Sequence, residues 1–229
     1  EHGPFEEAFR CLQQMEDESV SPTSLTFVGI LKACVNIRSR DQGLIIHTKI
    51  LCKGLEGDHS VCNTLIDMYC DYGMLLEARE VFDNMLKHCV VSWNTLISGY
   101  AKQRQAHEAL KSFVSMQSKG LCPDEVTLLC LLSACGHSGL LEAQMLYENM
   151  ISIYGIIPDF KHHTCMVTCF GRFGHINEAT SMIKRMSFCV NNSSVWLALL
   201  SACQEWGSAK LGRLCFDQIL QFKDGCATG

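Results

Sequence analysis

Apolar positions along this chain recur with helical spacing. Trp93, Leu96, Ile97 and Tyr100 fall at i, i+3, i+4 and i+7, the stripe of an amphipathic helix. Ala78, Val81, Phe82 and Met85 form a second stripe of the same kind. No segment alternates with period two over a useful length, so the pattern predicts helices and no strands. Turns separate the stripes, often at Gly73, Gly139, Gly174 or Gly207, where glycine can take the left-handed conformation that ends a helix. Two segments close on Gly-x-x-Pro-Asp, Gly120–Asp124 and Gly155–Asp159, and the proline is expected to stop the helix there.

The second stripe of each pair opens near an acid or amide followed by a small residue: Glu7-Ala8, Gln42-Gly43, Glu77-Ala78, Glu108-Ala109, Glu142-Ala143 and Glu178-Ala179. The steps between them are 35, 35, 31, 34 and 36 residues. A period of this size marks an array of stacked units, whose function is a surface laid out unit by unit. Each unit reads as two helices, and a Glu early in the second suits the positive end of its dipole. Residues 1–23 hold the second helix of a truncated unit. The following units are Ser24–Asp58, His59–Cys89, Val90–Asp124, Glu125–Asp159 and Phe160–Asn192. Residues 193 to about 222 form a last helix pair, followed by a small polar end, Lys223–Gly229. The chain opens at Glu1 without an initiator Met, so it reads as a fragment cut at both ends, with any targeting segment upstream out of view.

Composition narrows the picture. Hydrophobic residues make up 48% and charged residues 19%, which suits a folded chain with a long internal seam. A net charge of −5 gives no general attraction to nucleic acid. The longest apolar run, Val126 to Cys135, is about half of what a membrane helix needs, so no membrane partner is expected. Fifteen cysteines raise the question of disulfides or metal. Cys34, Cys135 and Cys203 each end a Leu-x-Ala-Cys pattern, which reads as small packing residues along the seam of a protein kept reduced. No C-x-x-C occurs, and the cluster His162, His163, Cys165 and Cys169 lacks a second ligand pair to close a tetrahedron. No metal, cofactor or catalytic residue is expected: Cys165 has no oriented base.

The motifs resemble the pentatricopeptide repeat family, and specifically its plant subclass that alternates long, short and standard repeats. The resemblance rests on Leu31-Lys32-Ala33-Cys34 with Gly43 and Ile46-His47 in a long unit, and on Asn63-Thr64-Leu65-Ile66-Asp67-Met68-Tyr69 in a short one. Val91-Ser92-Trp93-Asn94 and Ile97-Ser98-Gly99-Tyr100 carry a standard unit. Leu132-Ser133-Ala134-Cys135-Gly136-His137, then Met166-Val167 through Gly171-Arg172, look like the final long and short units. Val195-Trp196-Leu197-Ala198-Leu199-Leu200-Ser201-Ala202-Cys203 looks like the family's post-repeat E motif, here truncated. The rival is a tetratricopeptide array of period 34, whose Trp-Leu-Gly-Tyr signature is absent. The resemblance implies an all-α fold, a right-handed superhelical solenoid of helix-turn-helix repeats.

It also implies binding of single-stranded organellar RNA, one base per repeat. The positions matching the family's fifth-residue site are Val28, Asn63, Asn94, Leu129 and Thr164; those matching the last-residue site are Asp58, Cys89, Asp124, Asp159 and Asn192, with Asn191 as the alternative. Asn94 with Asp124 resembles the combination that favours uracil, or cytosine more weakly, and Thr164 with Asn192 the one favouring adenine. Asn63 with Cys89 departs from the pattern, since Cys is a poor hydrogen-bonder. Val28 and Leu129 are apolar and are not expected to read by pairing. Taken singly, each Asp after a proline reads equally as a helix cap. Trp93, Tyr100 and Trp196 are expected in the core, and Lys32, Lys102 and Lys111 are candidate phosphate contacts.

In the family this subclass resembles specificity factors for cytidine-to-uridine editing. The deaminase signature H-x-E…P-C-x-x-C is missing, so the chain is expected to be an adaptor, with a trans-acting deaminase or other editing-complex protein as partner and a mitochondrial (or plastid) location. A non-editing RNA-processing factor and a helical protein-interaction scaffold are the alternatives.

Overall fold

The computed structural model describes residues 4–136, 138–185 and 193–225, and among these it holds thirteen α-helices and no strand. Two units, Glu1–Leu121 and Cys122–Gly229, each have their own internal packing. The first contains α1 (Pro4–Asp17), α2 (Ser24–Asn36), α3 (Arg40–Cys52), α4 (His59–Asp71), α5 (Leu75–Asp83), α6 (Val90–Lys102) and α7 (Ala106–Ser118). Here α2, α4 and α6 stack in series, and α3, α5 and α7 each lie against the helix before them. The second contains α8 (Glu125–Cys135), α9 (Leu140–Ser152), α10 (Phe160–Arg172), α11 (Ile176–Arg185), α12 (Ser193–Glu205) and α13 (Ala209–Gly225). In it α8, α10 and α12 stack in series, with α9, α11 and α13 alongside.

The periodic small residue has a packing cause. Ala78, Ala109, Ala143 and Ala179 are all fully buried, so no larger side chain fits where the second helix meets its neighbours. In the amide variant, a Cβ on Gly43 would sit 2.7 Å from the Met68 sulfur. First helices carry most of the seam, because they are flanked on both sides. Seven residues of α4 are buried against two of α5, so α4 tolerates polar side chains only along one edge. Cys34, Cys135 and Cys203 are buried free thiols in that seam. Burial pushes the Cys34 and Cys135 thiols up to about 11, which keeps them protonated and unreactive. Trp93 and Tyr100 lie in the core, Trp93 edge-on to Phe82 at 4.6 Å between centroids; Trp196 is half-buried.

Two sequence expectations about helix ends are corrected. Gly139 is not left-handed: it has φ −162 and ψ 115 and leads into α9 in extended backbone open to any residue. Nor does proline stop the helices. The α7 helix ends at Ser118, and Gly120 at φ 75 closes it, with the Leu121 N–H donating to Met116 O and the Gly120 N–H to Gln117 O. This is a Schellman closure; Pro123 follows in the extended link to the next cap. The same closure occurs after α2 and α6, where non-glycine residues, Arg38 (φ 53) and Arg104 (φ 57), take the left-handed position.

Candidate nucleic-acid interface

Residues four apart on a helix share a face, so the fifth position of each first helix heads a short stripe. In α4 the stripe is Asn63, Asp67 and Asp71; in α6 it is Asn94, Ser98 and Lys102. The structure packs α4 against α6 and brings these two stripes side by side. Asn63 is half-buried, and its side-chain oxygen is shielded from solvent without a hydrogen-bond partner. An unsatisfied acceptor of this kind is costly unless a ligand donates to it. Asn94 is more deeply set, 7% exposed. One and two turns below, Lys102 Nζ donates to Asp67 Oδ1 and to Asp71 Oδ1, both at 2.8 Å. Burial pulls the Lys102 ammonium down, but the two carboxylates outweigh it and hold it above its ordinary value.

Lys102, singled out from the sequence as a phosphate contact, is therefore already paired. Sequence reasoning missed Asp67 and Asp71. The signal was available, for they precede Lys102 by 35 and 31 residues, close to one period. Lys111 lies 3.8 Å from Glu108 on its own helix, and Lys32 is exposed.

In the second unit Leu129 heads the stripe on α8, and Thr164, Thr168 and Arg172 form the stripe on α10. The two hydroxyls turn inward to their own helix: Thr164 donates to Phe160 O at 2.8 Å, and Thr168 to Thr164 O at 2.9 Å. Each keeps acceptor capacity outward. Arg172 is exposed and has no ion pair among the described residues. Val28 in α2 is half-buried.

The last-residue positions cap the helix that follows them. Asp58 accepts from the N–H groups of Ser60 and Val61 at 2.9 and 3.0 Å. Its carboxyl lies below the ordinary value, chiefly through Val61, with Ser24 and Ser60 adding. Asp124 forms a capping box with Thr127, accepting from its N–H and its hydroxyl, both at 2.8 Å. Asp159 forms a capping box with His162, accepting from its backbone N–H at 3.0 Å. Burial would raise the Asp159 carboxyl, but bonds from the His162 backbone and ring outweigh it and hold it low. Cys89 caps α6 without a cap hydrogen bond; its thiol lies 3.4 Å from Ser92 Oγ. Desolvation opposes ionisation of Cys89, yet bonds from Ser92 and Val91 leave the thiol below its ordinary value. Asn191 and Asn192 lie outside the described residues, as does His137.

The His162 cluster is occupied by structural bonds. His162 is fully buried, its Nδ1 against Asp159 Oδ1 and its Nε2 2.9 Å from Glu125 O. His163 Nδ1 lies 2.6 Å from Asp159 O. Among the described residues, no three His, Cys, Asp or Glu side chains are grouped so as to hold a metal ion, and no helix is long and apolar enough to cross a membrane.

Family models described as "PPR repeat family" (residues 88–137), "PPR repeat" (60–90 and 162–188) and "Pentatricopeptide repeat domain" (2–37) match the chain, together over more than half of it. The chain is 37% identical over 222 residues to the pentatricopeptide repeat-containing protein At4g30700 of Arabidopsis thaliana, covering 96% of this chain and 28% of that protein. Similarity to two further Arabidopsis thaliana proteins is comparable. The chloroplastic protein CRR2 is 37% identical (92% of this chain, 32% of that one), and the putative mitochondrial protein At1g77010 is 32% identical (97% and 32%). The chain thus spans about three-tenths of the length of these relatives. Its fold matches the crystal structure of the pentatricopeptide repeat protein PPR10 in complex with an 18-nt psaJ RNA element, with TM-score 0.64 at 23% identity over 76% of this chain and 26% of that one. PPR10 from maize matches with TM-score 0.60 at 19% identity over 92% and 36%. The chain belongs to the pentatricopeptide repeat family.

Proposed function

We propose that this chain binds single-stranded RNA through the first-helix stripes, one base per repeat, and has no catalytic activity of its own. The observation that carries the reading is the occurrence of Asn63, Asn94 and Thr164 at the fifth position of the first helix in three of the repeats, with the Asn63 oxygen lacking a partner. A carboxamide at that place can meet the Watson–Crick edge of an unstacked base. PPR10, solved with RNA, shares the fold. Asn94 with Asp124 is assigned to a pyrimidine, Asn63 with Cys89 to little selectivity, and Thr164 with Asn192 to adenine. In this reading the carboxylates that cap helices also flank the base. The repeats are of the long, short and standard types, residues 193–229 form an E-type motif, and the chain selects sites in organellar transcripts for a deaminase supplied by another protein. Mitochondria are our first assignment; relatives named mitochondrial and chloroplastic support an organelle.

The test is a titration with short single-stranded RNAs carrying pyrimidine-x-adenine, against purine-x-cytosine, at two salt concentrations. Preference for the first set, lost in Asn94→Ala or Thr164→Ala, is expected. A folded, helical sample that binds neither would overturn the reading and leave a protein-interaction scaffold.

A further inference from the structure

The ion pairs on the α4–α6 stripe have a consequence for affinity. Lys102 is the cation of this pair of stripes, two turns below Asn94, and is a candidate phosphate contact in the RNA-binding reading. An ammonium has three donors, and two are committed to Asp67 and Asp71 at 2.8 Å. All three side chains reach solvent, at 42%, 53% and 26% exposure. A phosphate approaching Lys102 meets two carboxylates already in the positions its own oxygens would take.

We propose that Asp67 and Asp71 are affinity-determining residues that compete with the RNA backbone for Lys102, so that these repeats bind RNA more weakly than their base-facing residues alone would allow. The inference rests on the RNA-binding reading above. The carboxylates act as a built-in phosphate substitute. Bound RNA must displace at least one of them, or forgo the Lys102 contact and lie against two uncompensated negative charges. A third reading, in which the acids act only through general repulsion, makes a different prediction about Lys102.

The experiment measures binding of a fluorescein-labelled single-stranded RNA at two salt concentrations. The proteins are the wild type, Asp67→Asn with Asp71→Asn, that double variant with Lys102→Ala added, and a control, Glu77→Gln with Glu80→Gln, which removes the same charge from α5. Helical circular dichroism is checked for each. One phosphate contact accounts for roughly threefold in affinity between 50 and 200 mM salt and about 0.7 in the salt slope of a single strand. The aspartate double variant is therefore expected to bind at least about threefold tighter at the lower salt, with a slope steeper by about 0.7. Adding Lys102→Ala should abolish that gain, and the α5 control should not reproduce it. A wild type that binds but is unchanged by the aspartate substitutions would overturn this proposal alone. So would a gain that survives Lys102→Ala, or one matched by the control. Absence of binding by every variant would overturn the RNA reading itself.

Discussion

The stripes of the first unit present Asn63, Asp67, Asp71, Ser98 and Lys102, whereas the corresponding positions of α8 and α10 in the second present Leu129, Ser133, Thr164, Thr168 and Arg172. The backbone plan is the same in both: paired helices, an Asp cap at the start of α4, α8 and α10, and a buried Ala on each second helix from α5 to α11. The finish differs. In the first unit, charge is cancelled between neighbouring helices; in the second, the α10 hydroxyls are satisfied within their own helix and Arg172 is left outward. The difference teaches that the seam dictates small and apolar positions alone, and that the solvent edge is free to diverge repeat by repeat.

That contrast can be broken most severely one residue before the fifth position of the first helix. Trp93, buried against Phe82, precedes Asn94; His163, half-exposed against Tyr147, precedes Thr164. Trp93→Ala should cost about 3–5 kcal/mol, and His163→Ala about 1 kcal/mol or less, read by urea denaturation. Equal losses would mean that the two first helices are packed alike.

A smaller effect is expected at the turns. Gly73 holds φ 72, so Gly73→Ala should destabilise by about 1–2 kcal/mol. Arg104→Gly at φ 57 should be near neutral, because relief of strain is offset by the entropy of the unfolded chain. Thermal melts of the two variants separate these outcomes.

The caps come next. Asp58→Ala and Asp159→Ala should each cost about 1 kcal/mol at neutral pH. Both carboxyls sit below the ordinary 3.8 in the folded chain. Their stabilisation is therefore present above about 3.8 and is lost as pH falls through the lower folded values. Melting temperature of the wild type should fall on acidification below pH 4, and more steeply than that of the double variant. A small effect is also expected of Lys102→Ala. Its ion pairs are solvent-exposed, so stability should change by about 1 kcal/mol or less.

Much of the helical array was legible because the signal repeats. The acid–small pairs report a close approach that returns with each unit, and Ala78, Ala109, Ala143 and Ala179 occupy it. Individual ends were less legible. Arg38 and Arg104 take left-handed positions that sequence would assign to glycine, while Gly139 takes an extended one: closure is set by backbone bonds that several residues can accept. Proline marked the junctions correctly but not the stop, since the helix has already ended when Pro123 is reached. At the candidate interface, spacing put Asn63 and Asn94 on the first helices, but not the state of Lys102. Its partners are on the neighbouring helix, and only side-by-side packing of α4 and α6 brings them within reach.

The central claim is that bases meet the first helices. The most direct measurement is photo-crosslinking of an RNA carrying a single 4-thiouridine at the pyrimidine position, with the attached peptide mapped by mass spectrometry. The account predicts attachment within Val90–Lys102, next to Asn94, and its loss when the thiouridine is moved outside the bound segment. Crosslinks confined to the second helices α5 and α7, in a sample that binds the RNA, would contradict it.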